Sequence, residues 1–295
     1  MPDIVAPMAI QSVREPAAAP FELKPFDAAC VPSGLSLSQE MGWPYRMEDW
    51  AFAAQLGRGL VLARAGEVVG TAMSWLFGED FASVGMIIIT ASARGGGNGS
   101  RLFDGLLSTL DGRNILLNST DEGLALYQRR GFVPWGRVHQ HQGVPTASFE
   151  RNDQDGIRPA AAADLPAIQA FDQRATGLSR PSMVAALCGA GTPLVLERAG
   201  RLACYAIARR FGRGHVIGPC AAESSEDARR LIEAHLATLQ GEFVRIDVHA
   251  RDGLSDWLEQ IGLKQVSEAT AMVRGRLPEP DGPATMFALA NQSFG

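Results

Sequence analysis

Two hydrophobic periods alternate along the chain, one of about two residues and one of about 3.6. The order in which they alternate occurs twice. Residues 60–75 read LVLARAGEVVGTAMSW, an apolar run, an Ala-Gly pair and a second apolar run, which is a β-hairpin pattern. The apolar stretch Val84 to Thr90 predicts the next strand, and Leu102, Phe103, Leu106, Leu107 and Leu110 then share one face of a helix. A strand over Ile115 to Asn118 follows, and a short helix closes on Leu126-Tyr127-Gln128-Arg129-Arg130-Gly131-Phe132. Residues 194–209 read LVLERAGRLACYAIAR and match the first hairpin at an offset of 134, with Leu60/Leu194, Val61/Val195, Leu62/Leu196, Arg64/Arg198, Ala65/Ala199, Gly66/Gly200 and Ala72/Ala206 coinciding. The same succession comes after it: a strand at His215 to Cys220, a helix bearing Leu231, Ile232, Leu236 and Leu239, a strand at Phe243 to Val248, and a short helix ending in Trp257 to Leu263.

A repeat of this length is a duplicated domain rather than a solenoid unit. The predicted fold is α/β with a mixed sheet, in two copies: residues 21–150 and residues 156–295, after a loose arm over 1–20. Polar, turn-rich residues at 151–156 mark the boundary, and the helical pattern from Ala160 to Phe171 opens the second copy with Asp164 as its cap. In the tail, Met286-Phe287-Ala288-Leu289 is expected to pack back as a strand.

Composition narrows the class. The 295 residues are 46% hydrophobic and 20% charged, which suits folded cores. A net charge of −5 argues against a nucleic-acid partner, which needs a basic surface. No apolar run approaches the length that spans a bilayer, and Asp3 with no apolar leader predicts no signal peptide. Cys30, Cys188, Cys204 and Cys220 lie in no metal-binding spacing, and three of them sit in apolar surroundings. The expectation is a reduced, cytoplasmic protein with no metal, no nucleic-acid partner and no membrane.

One loop carries chemistry. Arg94, Gly95, Gly96, Gly97, Asn98, Gly99 and Ser100 fit R-x-x-G-x-G between an apolar strand and an amphipathic helix. Glycines there let the backbone turn sharply, so that successive N–H groups point into one concavity at the positive end of the helix dipole, where a diphosphate sits well. A Walker loop is excluded because it needs a Lys, and the spacing of a dinucleotide fingerprint is broken. With Val84 to Ile89 before it and Leu-Tyr-Gln-Arg-Arg-Gly-Phe after it, the first half resembles the GNAT acyltransferase superfamily, which transfers an acyl group from acyl-CoA to an amine.

That resemblance implies that the loop holds the CoA diphosphate and that the main chain of Ile87, Ile88 and Ile89 meets the pantetheine. It also implies that Tyr127 acts as general acid toward the departing thiolate. Thr120 and Gly123 depart from the family's Asn and Ala. In the second copy the loop reads Glu223, Ser224, Ser225, Glu226, Asp227 and Ala228, with three carboxylates and no glycine, and Leu258 stands where Tyr127 does. One acetyl-CoA per chain, bound by the first copy, is therefore expected. For the acceptor side, Glu79 and Asp80 are the first candidates for the base and His139 and His141 the reserve, while Trp43, Tyr45 and Trp75 are candidates for an aromatic wall. Asp172, Arg174, Gly177, Arg180, Asp247 and His249 stand out in the second copy, and Asp172 with Arg180 reads better as a structural ion pair. The expected activity is acetyl-CoA-dependent N-acetylation of a small-molecule amine. The alternative is a catalytically silent acyl-CoA-binding or sensing protein.

Overall fold

The computed structural model describes residues 19–150 and 156–295. The expected arm and most of the expected boundary lie outside the described residues. The first copy runs β1 (Phe21–Pro25), α1 (Val31–Glu40), α2 (Met47–Leu56), β2 (Arg58–Arg64), β3 (Glu67–Phe77), β4 (Phe81–Ile89), α3 (Asn98–Ser108), β5 (Asn114–Ser119), α4 (Leu124–Gln128) and β6 (Val133–Gly143). The second repeats that order as β7 (Ile157–Pro159), α5 (Leu165–Thr176), α6 (Pro181–Ala190), β8 (Thr192–Arg198), β9 (Arg201–Phe211), β10 (Gly214–Ala222), α7 (Ser225–Thr238), β11 (Val244–His249), α8 (Ser255–Gln260) and β12 (Lys264–Arg274). A last strand, β13 (Thr285–Ala288), follows in the tail where the Met286 run predicts one.

Both hairpins turn where the Ala-Gly pairs stand. Ala65 and Ala199 each have φ of 51°, and Gly66 and Gly200 follow at 83° and 72°. Two successive left-handed residues match the right-handed twist of the flanking strands, so a two-residue connection suffices.

The copies are not side by side as separate sheets. All strands form one sheet in the order β1-β2-β3-β4-β5-β12-β6-β11-β10-β9-β8-β7. β12 of the second copy pairs with β5 of the first, from Thr270 opposite Ser119 to Arg274 opposite Ile115. β6 of the first copy pairs with β11 of the second, from Val244 opposite Gly143 to His249 opposite Val138. Each copy thus completes its partner's sheet.

Burial divides into three cores. Leu102, Phe103, Leu106 and Leu107 of α3 pack on one face of the first copy, and Leu231, Ile232 and Leu236 of α7 do the same in the second. The opposite face carries α1, α2, α5 and α6, whose Trp50, Phe171 and Leu187 enter one shared core with Trp75, Tyr205 and Phe294.

The tail bolts the copies together. β13 pairs antiparallel with β10, Ala288 opposite Cys220, and the Leu289 N–H donates to the Asp247 carbonyl of β11 at 2.8 Å. The chain then crosses to the first copy. Asn118 donates to the Gln292 carbonyl at 2.8 Å, and Phe294, 1% exposed, packs against Trp75 with centroids 5.2 Å apart. Arg180 Nη1 donates to the main-chain oxygens of Phe294 and Gly295, both at 3.0 Å. Phe294→Ala leaves a cavity at this seam and is expected to lower stability by roughly 3–5 kcal/mol, read from the midpoint of urea unfolding.

Candidate functional site

The site begins where two strands part. β4 and β5 run parallel from Phe81 opposite Asn114 to Ser83 opposite Leu116, and there the pairing ends. Beyond Ser83 the β5-facing edge of β4, from Val84 to Ile89, has no strand partner among the described residues. Met86 marks the distortion: its φ is 51°, and the register with β3 slips between Thr71 and Met73. The Thr71 hydroxyl donates to the Met86 carbonyl at 2.9 Å and holds the bulge.

At the end of β4 the loop takes three consecutive left-handed glycines, Gly95, Gly96 and Gly97, with φ of 83°, 57° and 80°. A methyl group at any of them would meet no protein atom within 4 Å, so backbone shape and not crowding calls for glycine. α3 starts at Asn98 without a side-chain cap: the Asn98 N–H donates to the Gly95 carbonyl at 3.3 Å, and the Gly99 and Ser100 N–H groups are the uncapped donors of the first turn. Asn98 braces the loop by donating to the Ala93 carbonyl at 2.9 Å, and exposed Arg94 donates to the Ile89 carbonyl at 3.1 Å. Gly99 and Ser100 complete the first helical turn.

Tyr127 sits on α4 beside this fork, edge-on to Phe103 at 5.1 Å and to Phe132 at 6.1 Å. Burial pushes its phenol up to about 12, so the hydroxyl keeps its proton at neutral pH. A Cβ at position 123 would come within 2.7 Å of the Tyr127 ring, which is a physical reason for glycine there.

On the other face of β4 and β5 the fork adjoins a cavity of about 420 Å³ between the copies. The first copy supplies Phe77, Ser83, Leu116, Asn118 and Trp135. The second supplies Leu178 and Arg180 from the α5–α6 connection, His249 and Arg251 after β11, and Leu277 to Pro280 with the tail. Three buried polar atoms in this lining have no hydrogen-bond partner among the described residues: Ser83 Oγ, Trp135 Nε1 and His249 Nδ1. Trp135 and His249 meet because β6 pairs with β11; their rings are 5.2 Å apart, and the Arg251 guanidinium lies over the indole at 5.2 Å.

The acceptor-side residues expected from sequence lie elsewhere. Glu79 and Asp80 are exposed in the β3–β4 turn and are not among the lining residues, with Asp80 meeting Arg276 at 3.3 Å. His139 and His141 share one strand face as expected, but both bond Ser255, and His139 also meets Glu268 at 3.1 Å. Trp75 is fully buried, donating its indole N–H to the Ala53 carbonyl at 3.0 Å. Trp43 and Tyr45 stack near each other at the seam, where Tyr45 meets Phe211 of the second copy edge-on at 5.2 Å. Sequence reasoning missed Ser83 and Trp135, which carry no motif; their unpaired atoms show only in the packed structure.

Two family models, both described as an acetyltransferase (GNAT) domain, match residues 43–151 and 168–288. The chain belongs to the GNAT acetyltransferase family, as a tandem of two domains. It is 25% identical over 268 residues to the uncharacterized N-acetyltransferase YitH of Bacillus subtilis, covering 88% of this chain and 94% of that one. It is also 25% identical over 205 residues to a holothin acyltransferase of Pseudoalteromonas sp. (strain SANK 73390), covering 68% and 69%. In fold it resembles a protein of Pyrococcus horikoshii provisionally assigned as an acetyltransferase, with a TM-score of 0.77 at 17% identity over 97% of this chain and 99% of that one. A tandem GNAT protein from the clavulanic acid biosynthesis pathway superposes with a TM-score of 0.61 at 14% identity over 89% and 100%.

Set against the first GNAT domain, the second differs at both halves of the equivalent site. Its helix α7 is capped from within: the Asp227 N–H donates to Ser224 Oγ at 3.1 Å, and the Asp227 carboxylate takes a bidentate pair from Arg198 at 2.7 and 3.0 Å. Its fork between β10 and β11, which pair only at His215 and Val216, is filled by β13. Leu258 does occupy the place of Tyr127, since the Leu263 N–H closes on the Leu258 carbonyl as the Phe132 N–H closes on Tyr127. Asp172 and Arg180 form a buried bidentate pair at 2.8 and 2.9 Å, joined by the Tyr205 hydroxyl, as the ion-pair reading expected. Asp247 is buried and paired with Arg245 at 2.7 Å. Among the described residues no cluster of His, Cys, Asp and Glu suits a metal ion, and no helix is long and apolar enough to cross a membrane.

Two titrating groups beside the cavity oppose each other. Burial, aided by the Arg251 charge, pushes His249 down to about 4, although contact with the Arg137 main chain works the other way. Burial pushes Asp252 up to about 6 against the attraction of Arg251. As pH falls from 6.5 to 4 the unfolded chain protonates His249 first, so this histidine costs stability. As pH falls from 6 to 4 the folded chain protonates Asp252 first, so this aspartate adds stability. Asp252→Asn should therefore steepen the loss of stability between pH 6.5 and pH 4, and His249→Gln should flatten it, as read from urea midpoints across that range.

Proposed function

We propose that the protein transfers an acetyl group from acetyl-CoA to the amine of a small molecule, with one acetyl-CoA held by the first domain. The observation that carries this reading is the joining of three features at the first copy's β4–β5 fork. A glycine nest at a helix start and the open strand fork lie on one side, and a cavity between the copies adjoins the fork on the other. GNAT domains use acetyl-CoA as cosubstrate, and the nest supplies main-chain N–H donors for its diphosphate. Arg94 adds a cation at the rim, and the free edge of Ile87 to Ile89 offers main-chain partners for pantetheine. A main-chain N–H near Ile88 would stabilise the tetrahedral intermediate. The Tyr127 phenol, kept protonated by burial, would protonate the departing thiolate. Relatives with holothin and clavulanic acid pathway names support a small-molecule acceptor, and the second domain's contribution is one wall of the cavity.

One observation favours the silent reading: among the described residues no aspartate or glutamate lines the cavity, and Glu79 and Asp80 are exposed elsewhere. Thiol release from acetyl-CoA across a panel of amines separates the two, since binding without turnover would support a sensor.

Calorimetry with acetyl-CoA should give one site per chain; two equivalent sites would overturn the assignment to the first domain. Gly96→Val, at a φ of 57° that a branched residue resists, should weaken acetyl-CoA binding at least about tenfold with little change in melting temperature, because no protein atom crowds the position. Tyr127→Phe should lower kcat roughly 10- to 100-fold while the acetyl-CoA Kd stays the same, and an unchanged kcat would remove Tyr127 from the chemistry.

A further inference from the structure

We infer, building on the transferase reading above, that the acceptor is an amine uncharged in neutral solution, a weakly basic aryl or heteroaryl amine bound in the cavity between the domains.

The first argument is charge. Among the described residues that line the cavity there is no aspartate or glutamate. The charged residues that do line it are Arg180 and Arg251. Arg180 is spent on Asp172 and on the tail, and Arg251 lies over Trp135 near the opening. An alkylammonium or a polyamine would exchange water for a wall with no aspartate or glutamate to pair it, where the Gly295 oxygen is already taken by Arg180 and Arg251 brings a charge of its own sign to the opening. Such a site selects against cations.

The second argument is the pattern of unpaired atoms. Phe77, Leu116, Leu178, Met286 and Leu289 give the cavity apolar walls. Set among them are Ser83 Oγ, with Ser83 only 5% exposed, Trp135 Nε1 and His249 Nδ1, none of which has a partner among the described residues. Buried polar atoms left unpaired are costly, so three in one cavity mark a ligand's contacts. Trp135 is a donor only. Burial keeps His249 neutral, and the unpaired Nδ1 of a neutral imidazole donates or accepts according to the tautomer. A flat apolar body with an N–H for His249 or Ser83 and a ring heteroatom or oxygen for Trp135 satisfies all three. An aliphatic amine without an acceptor leaves the indole N–H unpaired.

The third argument is chemical. A neutral amine needs no base before it attacks, so a lining without aspartate or glutamate is compatible with this substrate class. Its nitrogen lone pair forms the C–N bond to the thioester carbonyl carbon of acetyl-CoA. The C–S bond then breaks, with its electron pair leaving on sulfur. One amine proton is lost and the thiolate gains one, and the products are an amide and the CoA thiol. The cavity touches the point where this must occur, because Ser83 and Leu116 are both its lining and the last paired residues before the β4–β5 fork.

The test measures thiol release by the full chain from acetyl-CoA with 4-methoxyaniline and 2-aminothiazole, against spermidine, glucosamine and lysine, with acetyl-CoA binding measured in the same preparation. The aromatic amines should exceed the cationic ones in kcat/KM at least 100-fold. Turnover of the cationic amines at equal or higher kcat/KM overturns this proposal and leaves the transferase reading standing. Acetyl-CoA binding with no turnover of any amine overturns both. Two variants sharpen the outcome. Trp135→Phe keeps the ring and removes the N–H, and should raise KM for the preferred amine about tenfold without altering acetyl-CoA binding. Leu277→Glu, at a lining position 40% exposed, puts a carboxylate at the rim and should shift selectivity at least tenfold toward spermidine. Unchanged selectivity would overturn the charge argument.

Discussion

The structure depends on one exchange of strands. Neither domain's sheet is complete by itself: β6 of the first lies between β11 and β12 of the second, and β12 lies against β5 of the first. An unpaired sheet edge exposes a row of N–H and C=O groups, and both would be left open if the domains separated. The exchange thus welds two duplicated units into one cooperative body. It also decides what lies between them. Trp135 meets His249 because their strands pair, and the shared core of Trp50, Trp75, Phe171, Tyr205 and Phe294 is enclosed because four helices are held on one face.

Within this near-symmetric frame the two domains differ in a way that physical chemistry makes coherent. In the first, the helix start has no side-chain cap, the preceding glycines shape an uncrowded concavity, and the strands part. In the second, the same helix dipole is satisfied by Ser224 and Asp227, Arg198 neutralises that carboxylate, and a strand from the tail takes the place between β10 and β11. A helix start needs partners for its N–H groups whether or not a ligand comes. Acidic residues in the second loop are the protein's own substitute for an anion.

Much of this was legible in the chain. Hydrophobic period and the twin Ala-Gly turns revealed the duplication, and the Arg94–Ser100 loop and the Tyr127 segment showed which copy keeps an anion-binding geometry, because local backbone demands leave glycines where they act. The Met286 run disclosed its strand. What stayed hidden is non-local. Strand exchange leaves no local signature, since β6 and β12 would read the same whichever sheet they joined. For the same reason Trp75 reads as a pocket aromatic in sequence yet is a core residue with its N–H bonded to Ala53, and Ser83 or Trp135 cannot be singled out until their neighbours fail to supply partners. Glu79 and Asp80 stand next to β4 in sequence, but they open the strand at the end away from its free edge.

The strand β13 has a consequence for how this chain can change. The second domain's fork and loop are closed independently, one by a segment from the tail and the other by side chains of its own. Restoring glycines to the loop would still leave a strand where a pantetheine arm would need to lie, and trimming the strand would still leave Asp227 at the helix start. No single substitution reopens both. The two closures are thus redundant: undoing either one alone leaves the other in place.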